Sequence, residues 1–214
     1  MNTFAPPVVA WRGPQHDQRP LVVLLHGRGS NETDIIALAE HLPDGLDYAA
    51  VRAPITEGGG YAWFANRGIG RPLAESLAET MGWFRTWLDD AVPAGRPVVL
   101  VGFSGGAAFA GGLILDNPGR FQGAAILFGT LPFDAGVPTT PGRLTGLPVF
   151  VAHGDTDTVI PGDLLERTWA YLYDDAGSTT TGVRDPGGHG LSAAVVTRLH
   201  HWLSDLTAER ETAP

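Results

Sequence analysis

The chain has 214 residues, a formal net charge of −9 at pH 7 and no cysteine. This length suits one domain with a single substantial hydrophobic core, and the acidic balance argues against a nucleic-acid binder or a protein that docks on an anionic membrane. The absence of cysteine excludes disulfides, thiolate metal sites and a cysteine nucleophile.

Short apolar runs rich in β-forming residues alternate along the chain with segments whose apolar residues recur at helical spacing. The apolar runs predict strands at 21–26, 47–54, 97–103, 123–128, 147–153 and 179–186. The periodic segments predict helices at 31–41, 72–91, 105–116, 162–174 and 191–206. Strands that alternate with helices predict a mostly parallel sheet with helices on both faces.

The chain shows no internal repeat or linker, so we expect one domain over residues 1–214. Within it, 1–19 is expected to be a partly irregular segment and 207–214 a loose tail. The start, MNTFAPPVVAWRGPQ, lacks the basic residues and long apolar stretch of a signal peptide. No run approaches the roughly 18 apolar residues of a membrane span. These features predict a cytoplasmic protein that does not bind membranes.

A serine stands at the end of one predicted strand, which is where a parallel sheet carries its functional site. Residues 102–106, GFSGG, match the pattern G-x-S-x-G around Ser104. This spacing is typical of a nucleophile elbow, a strained turn that exposes the serine hydroxyl at a helix N-terminus. A serine in an ordinary glycine-rich turn would give the same five residues. The strand before and the helix after favour the nucleophile.

Two further strand ends carry candidate partners for Ser104. His189 lies between glycines after the last predicted strand, and we predict that it is the general base. Asp155 and Asp157 both follow the strand 147–153, and either carboxylate could orient the imidazole. Spacing alone does not separate the two. The chain order serine, aspartate, histidine is the order of α/β-hydrolases.

Two backbone N–H groups are expected to form an oxyanion hole. One belongs to Gly105, directly after the serine, and the other to Arg28 in the loop after the first predicted strand. The Arg28 side chain could either bind a substrate anion or be solvated at the surface. His26 and His153 each end a strand before a glycine, and we expect them to hydrogen-bond neighbouring loops.

The expected pocket wall is apolar and consists of Trp63, Phe64, Leu131, Phe133 and Val159. The first two belong to a glycine-flanked aromatic cluster, although they could instead pack beneath their loop. The stretch 129–146 is short and rich in Gly, Pro and Thr, which predicts no separate cap domain and an open site. An open apolar site favours small or aryl esters over long lipids.

Five segments, in this order, resemble the phospholipase/carboxylesterase family of α/β-hydrolases: LLHGRGSNETD, GGYAWF, GFSGG, HGDTDTVIP and GGHGLS. The resemblance covers roughly residues 20–205. It implies the α/β-hydrolase fold, assigns the family's acid to Asp157 and places the oxyanion donors at Arg28 and Gly105. Eukaryotic acyl-protein thioesterases of this family commonly carry Gln where this chain has Gly105, and HGLGD where it has HGRGSNE. Small bacterial carboxylesterases are therefore the closer match. Dienelactone hydrolases share the fold but use a cysteine.

We therefore predict a serine carboxylesterase that hydrolyses small or aryl carboxylic esters through an acyl-enzyme on Ser104. The reaction needs no metal or organic cofactor. The expected partner is a small-molecule ester, with no nucleic acid or membrane, and a homodimer is compatible with the sequence. An acyl-thioesterase or a lysophospholipase would use the same residues. A more remote alternative is a binding module on the same fold without catalysis.

Overall fold

A computed structural model describes residues 4–14 and 19–208, so parts of the expected irregular segment 1–19 and of the expected tail 207–214 lie outside the described residues. The strands are β1 (Val9–Arg12), β2 (Leu21–Leu25), β3 (Asp47–Val51), β4 (Ile55–Glu57), β5 (Gly60–Ala62), β6 (Asn66–Gly68), β7 (Arg71–Pro72), β8 (Val98–Phe103), β9 (Gly123–Leu127), β10 (Pro148–Gly154) and β11 (Thr179–Asp185). The α-helices are α1 (Glu32–Ile35), α2 (Ala74–Ala91), α3 (Gly105–Asp116), α4 (Gly162–Ala170) and α5 (Ala193–Ala208). Helix α1 continues as a 3-10 helix, Ile36–His41, and α4 continues as a π-helix, Tyr171–Asp175.

Seven strands form one sheet in the order β1-β3-β2-β8-β9-β10-β11. Strand β1 is antiparallel to β3, and the other neighbours are parallel, which confirms the predicted mostly parallel sheet. The chain leaves β2 towards β3 and later crosses to β8 on the other side of β2. The connections that leave β2 and β8 therefore diverge, and they open a crevice between the carboxyl ends of these two strands.

Helices cover both faces of the sheet, as predicted. The apolar clusters on the two faces use alternate residues of β2: one includes Leu21, Val23 and Leu25 with buried residues of α2 and α3, and the other includes Val22 and Leu24 with buried residues of α5 and the 3-10 helix. Every residue of β2 is fully buried, which explains why this strand is an unbroken apolar run rather than an alternating one. The sheet therefore serves as a rigid base for the loops at its carboxyl edge.

Some short elements have no counterpart among the predicted ones. Strand β1 lies inside the expected irregular segment and is only partly buried. The pairs β4–β5 and β6–β7 are hairpins with strands of two or three residues, too short to give a periodic pattern. Residues 129–146 contain turns without a helix or strand, and this agrees with the expected lack of a cap domain. None of the described helices has the combined length and hydropathy that a bilayer crossing requires.

Candidate active site

Ser104 lies in a sharp turn between β8 and α3. Its backbone has φ of 54° and ψ of −114°, in a region that is costly for residues other than glycine. Its N–H donates to the carbonyl oxygen of Leu127 at 2.9 Å. A Cβ on Gly102 would lie 2.2 Å from the Gly106 oxygen, and a Cβ on Gly106 would lie 2.1 Å from the Leu25 oxygen. Both glycines are therefore required by the close approach of strand, turn and helix.

This close approach predicts the effect of a single methyl group. We expect Gly106→Ala to lower the free energy of unfolding by at least about 3 kcal/mol, because the added carbon meets backbone that cannot move aside. Gly45→Ala is the matched control: a Cβ there meets no atom within 4 Å, so its effect should stay within about 1 kcal/mol. Urea unfolding of the two variants measures the difference. Equal stabilities would contradict the packing described here.

Three side chains from three strand ends form a hydrogen-bonded row. The Nε2 atom of His189 lies 3.0 Å from Ser104 Oγ, and its Nδ1 lies 2.8 Å from Asp157 Oδ2. The imidazole also packs against the neighbouring rings of Phe103 and Phe128, whose centroids lie 5.2 and 6.4 Å away. Sequence reasoning singled out the three polar residues but not these two rings, which hold the imidazole in place.

The carboxylate of Asp157 is buried but well supplied with donors. Its Oδ1 accepts from the N–H groups of Val159 and Ile160 at 2.8 and 3.1 Å. Burial by itself would raise the pKa of Asp157, but the hydrogen bonds from His189 and these two N–H groups outweigh it and lower that pKa. An ionised carboxylate only accepts hydrogen bonds. His189 Nδ1 therefore carries the proton, and Nε2 is left to accept from Ser104.

Asp155, the other aspartate that spacing left open, points elsewhere. Its Oδ1 accepts from Arg184 at 2.7 Å and lies 3.9 Å from His153 Nε2. The expected hydrogen bond from His153 to a neighbouring loop is not formed: its Nδ1 has no partner among the described residues, and 3.9 Å from Nε2 to Asp155 is too long for a hydrogen bond. Of the two aspartates, Asp157 is the one that the structure brings to His189.

The backbone N–H groups of Arg28 and Gly105 lie together at the crevice between β2 and β8. A Cβ on Gly105 would lie 3.3 Å from the Arg28 nitrogen. Neither N–H has an acceptor within residues 4–14 and 19–208. The Gly105 N–H also stands at the N-terminus of α3, where the helix dipole favours negative charge. The two groups can therefore bind an oxygen that becomes negative when Ser104 attacks a carbonyl carbon.

The Arg28 side chain is exposed at the surface, and its ion pair leaves it no free charge for a substrate anion. Its Nε and Nη2 atoms donate to the two carboxylate oxygens of Glu57, and its Nη1 donates to the Phe64 oxygen at 3.1 Å. The Gly29 N–H donates to the Tyr61 oxygen at 2.9 Å. These bonds tie the loop that carries the Arg28 N–H to the hairpin β4–β5.

The His26 side chain also holds this loop in place, in the structural role expected for it. Its Nδ1–H donates to the Gly27 oxygen at 2.8 Å, and its Nε2 accepts from the Ala53 N–H at 3.1 Å. Its carbonyl oxygen accepts from the Trp63 indole N–H at 2.8 Å. Burial lowers the pKa of His26, which favours the neutral ring that this donor and acceptor pattern requires.

A cavity of about 280 Å³ opens beside Ser104. Three of the predicted wall residues, Trp63, Phe64 and Val159, line it. Trp63 is also only 1% exposed and stacks on Phe109, so the packing alternative holds for it as well. Further lining residues that sequence reasoning missed are Asn66, Ile69, Gly70, Ala108, Gly129, Thr130 and Ile160.

The expectation for Leu131 and Phe133 is corrected by the structure. Leu131 is fully buried, and its Cδ2 would lie 2.7 Å from a Cβ on Gly111 in α3. Phe133 packs edge-on against Tyr171 and under the guanidinium of Arg167. The chain turns back into the core after residue 130, so these apolar side chains face away from the cavity.

Within the described ranges, no group of three or more potential ligands is arranged to hold a metal ion.

Comparisons with known proteins identify the family through a family model and find relatives of similar length and fold. A family model described as Phospholipase/Carboxylesterase matches residues 8–206. The protein MhqD of Bacillus subtilis is 26% identical over 190 residues, which make up 86% of this chain and 92% of that protein. The Bacillus cereus carboxylesterase superposes with a TM-score of 0.83 at 25% identity, over 94% of this chain and 95% of that chain. A carboxylesterase from Mesorhizobium loti gives a TM-score of 0.82 at 24% identity, over 94% and 96% of the two chains.

Proposed function

The chain belongs to the phospholipase/carboxylesterase family of α/β-hydrolases, and on that premise we propose that it is a serine carboxylesterase acting on small or aryl carboxylic esters. One observation carries the proposal: Ser104 Oγ, the imidazole of His189 and the carboxylate of Asp157 form a continuous hydrogen-bonded row, with distances of 3.0 and 2.8 Å. The serine end of this row lines an apolar cavity. This arrangement supports ester hydrolysis through an acyl-enzyme.

The proposed reaction begins with the transfer of the Ser104 proton to His189 Nε2 as Oγ attacks the ester carbonyl carbon. The carbonyl oxygen becomes negative and accepts from the N–H groups of Arg28 and Gly105, each worth about 3 kcal/mol in the transition state. Asp157 stabilises the imidazolium that forms. His189 then protonates the leaving alcohol, and water repeats the sequence to release the acid.

The cavity supports small substrates. A volume of about 280 Å³ is at the lower end for ligand pockets, so a short acyl or single aromatic group fills it. Among the described lining residues, the sole guanidinium or ammonium group is that of Arg28, and it is already paired with Glu57. This lining favours uncharged esters over anionic headgroups, so it ranks the lysophospholipase alternative lower.

Two measurements on the purified protein test the proposal. A fluorophosphonate probe should label the wild type at Ser104, and para-nitrophenyl esters from acetate to laurate should be hydrolysed fastest at the short end. Faster turnover of acyl-thioesters or lysophospholipids would favour those alternatives instead. A protein that is not labelled and hydrolyses none of these compounds would favour the binding module.

The ion pair on the Arg28 loop gives a further prediction. We expect Glu57→Gln to lower kcat about 10- to 100-fold with little change in KM, because a loosened loop misplaces an N–H that acts in the transition state. Glu40→Gln is the control, since it breaks the exposed Arg12–Glu40 pair at 2.9 Å and touches no part of the cavity lining. Steady-state kinetics on a short ester measures both. A wild-type kcat in Glu57→Gln would show that the backbone hydrogen bonds to the hairpin are enough to hold the Arg28 N–H in place.

A further inference from the structure

Two polar side chains interrupt the apolar wall of the cavity beside Ser104. The Oδ1 atom of Asn66 and the Oγ1 atom of Thr130 are buried, and neither has a hydrogen-bond partner among the described residues. Thr130 as a whole is 1% exposed. The rest of the wall consists mainly of aromatic and aliphatic side chains. Both atoms lie at the cavity wall but beneath its present surface, so a ligand can supply their partner once the wall shifts to uncover them.

Buried polar atoms without a partner carry a free-energy cost that an apolar side chain of the same shape would avoid. The other such atoms in the described part of the chain belong to Gln122, His153 and Trp169, and none of these residues lines the cavity. A bound ligand that bonds to Asn66 and Thr130 removes the cost that they carry in the empty protein. A ligand without such a group leaves the two atoms unpaired, and this is how a polar site discriminates between two otherwise similar ligands.

The two atoms define the chemistry of the group they would bind. Asn66 Oδ1 only accepts hydrogen bonds, whereas the Thr130 hydroxyl both donates and accepts. A ligand hydroxyl also does both and can therefore bond to either atom. A carboxylate cannot donate to the amide oxygen. We infer, on the basis of the proposed function, that the preferred ester carries a hydroxyl group on the part that occupies this cavity.

The hairpin β6–β7 covers one of these atoms. A Cβ on Gly70 would lie 3.2 Å from Thr130 Oγ1, so the hairpin tip rests directly on the threonine hydroxyl. Outside the cavity, Arg71 pairs with Asp163 at 2.8 Å, and both side chains are largely exposed. Exposed ion pairs contribute little to stability. The tip is therefore the part of the wall that yields when a substituent reaches Thr130.

Matched ester pairs test this inference, and they distinguish the two sides of the ester bond. On the acyl side the pair is para-nitrophenyl butyrate and para-nitrophenyl β-hydroxybutyrate. On the alcohol side the pair is phenyl acetate and meta-hydroxyphenyl acetate. The cavity holds one side of the ester, so we expect one of the two pairs to show the preference. In that pair, kcat/KM of the hydroxylated ester should exceed kcat/KM of the plain ester at least about tenfold. This ratio should fall towards one in Thr130→Val and, separately, in Asn66→Leu.

The control is Thr197→Val, the same change on the exposed side of α5, and it should keep the wild-type ratio. A ratio near one for both pairs in the wild type would overturn the inference, and so would a high ratio that survives both cavity variants. In either case, labelling of Ser104 by the fluorophosphonate probe leaves the proposed function standing. Hydrolysis of no ester, together with no labelling, overturns both.

Discussion

Replacing Ser104 with alanine should lower kcat/KM for a short para-nitrophenyl ester by about 10⁴- to 10⁶-fold. The substitution removes the single oxygen that lies 3.0 Å from His189 Nε2, so no nucleophile remains for the acyl-enzyme. The residual rate comes from the two N–H groups and from substrate binding. Labelling by the fluorophosphonate probe should disappear at the same time.

The fold should survive this change, because alanine at residue 104 adopts the same backbone as serine. The hydroxyl's partner is the partly buried imidazole of His189, and we expect a stability change of no more than about 1 kcal/mol, measured by thermal unfolding. Ser204→Ala is the matched control, since the hydroxyl of this serine donates to the His200 oxygen on α5 at 3.0 Å, far from the cavity lining. Retention of activity within about tenfold in Ser104→Ala would place the nucleophile elsewhere.

Asp157→Asn should lower kcat by about 10⁴-fold with a nearly unchanged KM. The carboxylate accepts from His189 Nδ1 at 2.8 Å and thereby keeps the proton on that nitrogen. An amide in the same place can donate to Nδ1, which moves the ring proton to Nε2 and removes the acceptor that Ser104 needs. Steady-state kinetics on a short ester measures the loss.

Asp155→Asn is the sharpest control for this prediction, because the two aspartates are two residues apart in one loop. It loses the exposed ion pair with Arg184 at 2.7 Å and does not touch His189. We expect its kcat to stay within about threefold of the wild type. A large loss in Asp155→Asn with a small loss in Asp157→Asn would reverse the assignment of the acid.

The sheet could be predicted from the sequence because buried strands leave a strong pattern of apolar residues. The strands that are buried on both faces had to be apolar along their whole length, as Leu21–Leu25 is. The turn at Ser104 could also be predicted, since Gly102 and Gly106 leave no room for a Cβ. These features depend on local sequence and on a close backbone contact, so they leave a readable pattern.

The choice between Asp155 and Asp157 had no such local signal. An irregular loop has no fixed period of side-chain directions, so the spacing does not tell which side chain points where. Only the fold shows which carboxylate meets His189. In the same way, Leu131 and Phe133 follow a strand end but turn back into the core. The family resemblance assigned the acid to Asp157, which agrees with the geometry, but it gave no position for either apolar residue.

The cavity wall was the least predictable part. Asn66, Ile69 and Gly70 come from the hairpin β6–β7, whose strands have two or three residues. Strands this short show no alternation of apolar and polar residues. Thr130 is a single polar residue within an apolar stretch, and its unpartnered hydroxyl is visible only when the surrounding atoms are placed.

The wide separation of the three polar residues along the chain also affects how activity is acquired. Ser104 and His189 are 85 residues apart, and the histidine follows β11, the last of the described strands in chain order. A nascent chain in which β11 has not yet been made and paired with β10 holds Ser104 and its turn but lacks His189, the proposed base. We therefore expect such a chain to show no labelling by the probe. In refolding experiments, the return of probe labelling would therefore mark completion of the C-terminal edge of the sheet and not the earlier collapse of the core.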